Sequence, residues 1–112
     1  MQLPTWGHVT VFSYQGSVQA GTDIEYGQAG SLVGQTGHHI TVTAANYHAL
    51  LSNFKGQTVG VGTSRVPQSG TLGDWLNANV NPTAIASYVA PILVHEKYAK
   101  RVDGDDTLIA FK

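Results

Sequence analysis

Thr71-Leu72-Gly73-Asp74-Trp75-Leu76-Asn77-Ala78-Asn79-Val80-Asn81-Pro82-Thr83-Ala84-Ile85 carries two helix starts within one short stretch. The Thr71 hydroxyl is placed to accept from first-turn amides, and Asp74 lies near the positive helix end, a variant of the capping box. Leu72, Trp75, Leu76 and Val80 recur at helical spacing, so the spacing predicts a helix over 71–80. Asn81 then offers a second cap, with Pro82 at the first helical position, where its missing amide hydrogen costs nothing. Ile85, Tyr88, Val89 and Ile92 continue at helical spacing, which predicts a second helix from 82 to about 95.

Pro91 interrupts that second helix. Its ring would clash with the Ser87 carbonyl and remove one ladder bond, a cost of roughly 3 kcal/mol. Either the helix kinks there, or it stops near Tyr88 to Ala90 and Ile92, Val94, Tyr98 and Val102 alternate into one longer strand. Both routes end in a hairpin, because Asp103-Gly104 is a turn signal and Thr107-Leu108-Ile109-Ala110-Phe111 reads as a strand.

Upstream, Tyr47, Leu50, Leu51 and Phe54 fall on one helical face, with Thr43 as cap and Gly56 as a left-handed stop, giving a helix over 44–55. A strand over 57–63 follows, with Val59, Val61 and Thr63 on one side. Its other side, Gly60 and Gly62, is bare and invites the close approach of another backbone. Further back, His8-Val9-Thr10-Val11-Phe12-Ser13-Tyr14 alternates as a strand, and His39 to Thr43 is also extended. Between Gln15 and Gly37, recurrent Gly residues predict loops around a short strand near Ile24 to Tyr26.

The order helix 44–55, strand 57–63, helix 71–80, helix 82 to about 95 and strands near 98–102 and 107–111 resembles the winged helix-turn-helix family over about residues 43–112. Tyr88-Val89-Ala90-Pro91-Ile92-Leu93-Val94-His95-Glu96-Lys97-Tyr98-Ala99-Lys100-Arg101-Val102 is similar to that family's passage from recognition helix into wing. The expected fold is therefore α+β: three helices and a small antiparallel sheet, winged helix-like, with an N-terminal β extension over 1–42 in a single domain. That extension is expected to complete the sheet or to form the edge of a homodimer. The chain departs from the family at Pro91 and at Lys97, where the family often has Gly.

What the resemblance implies is DNA binding, with Thr83 and Ser87 at base edges and Lys97, Lys100 and Arg101 at phosphates. Charge argues the other way. Only 12% of residues are charged, about half the usual share, and a net charge of -1 supplies no long-range attraction to a polyanion. Through Phe54 the only charges are Asp23 and Glu25, and all six Lys and Arg follow from Lys55 onward. The expected outward side of the second helix, Thr83, Ser87, Ala90 and Val94, is uncharged, and the wing tip carries Asp103, Asp105 and Asp106. The alternative, a protein-binding module or inhibitor on the same scaffold, suits such a surface better than a polyanion does.

Other chemistry is sparsely marked. The chain has no Cys, which removes disulfides and thiolate chemistry and fits the cytoplasm, and it has no apolar run long enough for a membrane span. Of the five His, His38, His39 and His48 converge only if the extended segment packs on the following helix, and no zinc spacing is present. No cofactor or metal is expected. Asp103-Gly104-Asp105-Asp106 is too short for a calcium loop, and Gly60-Val61-Gly62-Thr63-Ser64-Arg65 lacks the helix and Lys of a phosphate cradle. No catalytic set is selected by spacing; a metal-independent ribonuclease remains a third reading, using His39, His48, Arg65 and Lys97.

Overall fold

Alternation of apolar and polar residues builds the first part of the molecule. The computed structural model describes residues 2–8, 10–26 and 38–112. Four strands, β1 (Gln2–Pro4), β2 (Val11–Ser17), β3 (Gly21–Tyr26) and β4 (His38–Thr43), form an antiparallel sheet in the order β1-β2-β3-β4. Phe12, Tyr14, Ile24, Ile40 and Val42 point into the core, while Val11, Asp23, Glu25 and Thr41 point out, the period of two that a half-buried strand requires. Gly16 takes a positive φ at the β2–β3 turn, where a Cβ would collide with the Gly21 carbonyl.

Three expectations for this region change. The first long strand begins at Val11, because His8 and Thr10 are held in a turn: the His8 N–H donates to the Thr5 carbonyl and the Thr5 N–H to the Thr10 carbonyl. In the segment expected as loops around a short strand near Ile24 to Tyr26, β2 runs on through Ser17, residues 18–20 turn, and the expected strand is present but starts earlier, at Gly21; residues 27–37 lie outside the described residues, as does Val9. The N-terminal extension does not add strands to the C-terminal sheet but makes a sheet of its own.

Thr43 ends β4 and caps α1 (Ala44–Phe54) through a reciprocal capping box: its hydroxyl accepts from the Asn46 N–H at 3.0 Å, and Asn46 Oδ1 accepts from the Thr43 N–H at 3.1 Å. Tyr47, Leu50 and Phe54 are buried on the predicted face. After β5 (Thr58–Gly60) the chain leaves the sheet earlier than expected, because residues 61–62 turn to meet the start of α2 (Leu72–Asn79). The Gly73 N–H donates to the Val61 carbonyl at 2.8 Å, and a Cβ on Gly73 would strike the Gly62 carbonyl. The bare face of Gly60 and Gly62 is covered by the Thr71 side chain and not, as expected, by another backbone; the close backbone approach is made at Gly73. Thr71 caps α2 by accepting from the Asp74 N–H at 3.1 Å.

The next helix, α3 (Ala86–His95), starts later than its sequence suggests. The Asn81 side chain accepts from the Thr83 N–H at 2.9 Å, closing a turn where a cap was expected, and Ile85 stands at the helix start without a side-chain cap. The helix runs through Pro91 to His95, so the single longer strand from Ile92 to Val102 does not form. Pro91 cannot donate to the Ser87 carbonyl, and that acceptor is filled from outside by the Trp6 N–H at 3.0 Å. β6 (Ala99–Val102) and β7 (Asp105–Phe111) then form the hairpin around Asp103-Gly104, giving a second antiparallel sheet in the order β5-β7-β6.

Among the described residues the result is an α+β fold with three helices and two small sheets, where one sheet was expected. The buried residues form one cluster drawn from both sheets and all three helices, including Trp6, Phe12, Ile24, Tyr47, Leu72, Ile85, Val89 and Ile109. No described helix is long and apolar enough to cross a membrane.

Candidate functional site

Packing of the first sheet against α3 decides which expected contact residues remain available. Phe12 meets Tyr88 edge-on with ring centroids 5.3 Å apart, and Tyr26 lies 4.5 Å from the same ring. On the side of α3 expected to face outward, Ala90 is fully buried and Ser87 and Val94 are half-buried. Thr83 is exposed in the turn before α3 and Lys97 just beyond its far end, so the helix, about 15 Å long, separates them.

The two basic residues of β6 divide by the period of the strand. Lys100 points outward and is exposed. Arg101 points inward, donates from Nη2 to the Trp6 carbonyl at 3.0 Å and lays its guanidinium 3.8 Å from the centre of the Trp6 ring. Trp6 also donates from Nε1 to the Asp106 carbonyl, so one residue of the N-terminal segment ties α3, β6 and β7 together. Trp6 had no marked role in the sequence, because its partners lie far along the chain.

A convergent group lies elsewhere. His48, Leu51, Ser52 and Lys55 are spaced i, i+3, i+4, i+7, which puts them on one stripe of the α1 region beside its buried face. Lys97, Tyr98 and Lys112 close the other side of a cleft of about 340 Å³. The end of α3 brings Lys97 and Tyr98 there: the Tyr98 N–H donates to the Leu93 carbonyl and the Lys97 N–H to the Val94 carbonyl, a Schellman stop. Its left-handed position is Lys97 itself, at φ 70°, where Gly is the easy choice. Lys112 is fixed from β7, its N–H donating to the Tyr98 carbonyl and its carbonyl accepting from the Gly56 N–H. Three of the six Lys and Arg therefore share one cleft, and among the described residues no Asp or Glu side chain lines it. Sequence reading identified Lys97 but missed Lys55 and Lys112; the helical spacing from His48 to Lys55 was the available signal.

The remaining candidates stay dispersed. His39 on β4 places Nε2 3.1 Å from Glu25 and Nδ1 3.5 Å from Asp23, all on the open face of the first sheet. His48 lines the basic cleft with Lys97, and Arg65 is exposed in the loop before α2, so the four residues of the ribonuclease reading are not gathered. The side chain of His38 lies outside the described residues. Among the described residues no three His, Asp or Glu side chains are grouped to hold a metal ion. A larger cleft, about 670 Å³, is lined by Thr63, Ser64, Ser69, Thr71 and Thr107 beside the edge of Trp6.

No protein-family model, curated protein or solved structure matches this chain.

Buried tyrosines mark the seams between elements and not the cleft. Tyr14 donates to Glu96 Oε2 at 2.7 Å while Glu96 Oε1 accepts from the Val18 N–H at 2.9 Å, joining the first sheet to the end of α3. Burial first, and then the Glu96 carboxylate, push the Tyr14 hydroxyl well above its ordinary value. Burial does the same to Tyr47, whose hydroxyl bonds Thr22 at 2.7 Å.

Proposed function

We propose that this protein is a non-enzymatic protein-interaction module whose C-terminal half, residues 43–112, is of winged-helix type. The order α1-β5-α2-α3-β6-β7 supports the resemblance. One observation carries the choice of partner: the first sheet is clasped over α3 through Trp6, Phe12 and Tyr26. A helix that reads DNA must present side chains to the major groove. Here that side is spent on core packing, and Arg101 is committed to Trp6, which leaves recognition to the outer surface.

DNA binding is the second reading, favoured by the exposure of Lys97 and Lys100 at the base of the hairpin and of Thr83 before α3. The two readings separate in a titration of labelled duplex DNA at several salt concentrations, followed by gel filtration of nuclease-treated complexes. The protein-binding reading expects no saturable DNA binding near physiological salt and a nucleic-acid-free protein complex. DNA affinity that falls steeply with salt, and falls further in Lys97→Ala with Lys100→Ala, would replace it with the second.

A further inference from the structure

We infer that the cleft between α1 and the α3–β6 corner binds an acidic peptide segment, seating one apolar side chain between carboxylates. The inference rests on the protein-binding reading and names its site. Lys55, Lys97 and Lys112 line the cleft with His48, beside Leu51 and Tyr98, both half-buried. A chain of net charge -1 concentrates half its cations here. Lysines are mobile point charges that fit carboxylates without fixed geometry, and the apolar lining adds what a bare anion does not use. About 340 Å³ holds one side chain and its flanking carboxylates, not a strand of nucleotides.

One further observation favours a peptide over a nucleic acid, and a second marks Lys97 as kept for the cleft. Arg101 is withdrawn to Trp6, and the hairpin tip beyond Lys100 carries Asp103, Asp105 and Asp106, so the positive surface ends within a short distance. Lys97 lines the cleft from a left-handed backbone position that a glycine would occupy without strain. The side chain is kept where the backbone gains nothing from it.

The test is fluorescence anisotropy with a labelled peptide of four Glu around one Phe, its Gln counterpart and a labelled oligonucleotide. The wild type should bind the Glu peptide more weakly as salt rises, and the Gln peptide at least about tenfold more weakly. Lys97→Glu with Lys112→Glu should lower affinity for the Glu peptide at least about tenfold. Lys97→Gly should weaken binding about threefold while its melting temperature stays level or rises, which separates loss of the site from loss of folding. Equal binding of the Gln peptide or of the charge-reversed variant overturns the site. If the Glu peptide fails while the nuclease-treated protein still forms its complex, the site falls and the protein-binding reading stands. If the oligonucleotide binds more tightly than the Glu peptide and charge reversal abolishes it, both fall.

Discussion

Arg101 and Lys100 are neighbours with the same charge and different work. In the sequence they form one basic pair; in the fold a half-turn of the strand sends Lys100 to solvent and Arg101 over the Trp6 ring. Arg101→Ala should therefore cost about 1–3 kcal/mol, from a lost cation–π contact and a bond to the Trp6 carbonyl. Lys100→Ala should stay within about 0.5 kcal/mol of wild type. Urea unfolding of both variants checks this, and equal losses would mean that Arg101 is only a surface charge. The side a strand residue faces follows from alternation, but which side is covered depends on residues some ninety positions away, so Arg101 was legible as a cation and not as a packing residue.

At the scale of elements, the starts and stops written in local chemistry survive in the structure, and those that depend on neighbours move. Thr43 and Thr71 cap their helices as their sequences suggest, because a hydroxyl and an amide a few residues apart need nothing else. Asn81 has the same local chemistry but closes a turn, and α3 begins at Ala86. Pro91 reads as a helix breaker on local grounds; α3 passes through it because the Trp6 N–H serves the carbonyl that Pro91 leaves open. Gly73 gives a sharp test of such a contact. Replacing an interior helical Gly by Ala normally adds about 1 kcal/mol of stability. Gly73→Ala should instead cost at least about 2 kcal/mol, since its Cβ meets the Gly62 carbonyl, a backbone group and not the end of a flexible side chain. A variant with a raised melting temperature would show that the crossing is loose.

For the molecule as a whole, the two sheets are joined through one core, and its buried tyrosines make that union sensitive to alkali. Tyr47 is fully buried against Thr22, and Tyr14 is buried against Glu96. Their hydroxyls lose protons at higher pH folded than unfolded, where a tyrosine titrates near about 10. Below that value both states keep the proton and the full stability is present. Above it the unfolded chain sheds protons that the folded one retains, so stability falls as pH rises, by up to about 1.4 kcal/mol per pH unit for Tyr47. The urea midpoint should hold steady to about pH 9 and drop beyond 10. Tyr47→Phe should flatten that fall while costing about 1–3 kcal/mol at neutral pH, because the Thr22 hydroxyl loses its partner. An unchanged alkaline slope in Tyr47→Phe would place the transition on other groups.

The sequence by itself determined the α+β class, the three described helices, two of their caps and the terminal hairpin. Each follows from residues within one turn or one strand of each other, where spacing is geometry. Tertiary structure alone decided that the N-terminal strands form a separate sheet, that this sheet covers α3, and that Lys55, Lys97 and Lys112 meet around Tyr98. Those outcomes depend on which apolar faces bury each other, and burial is non-directional: Phe12 and Tyr88 are each apolar in any arrangement, and only the packed chain states that they touch.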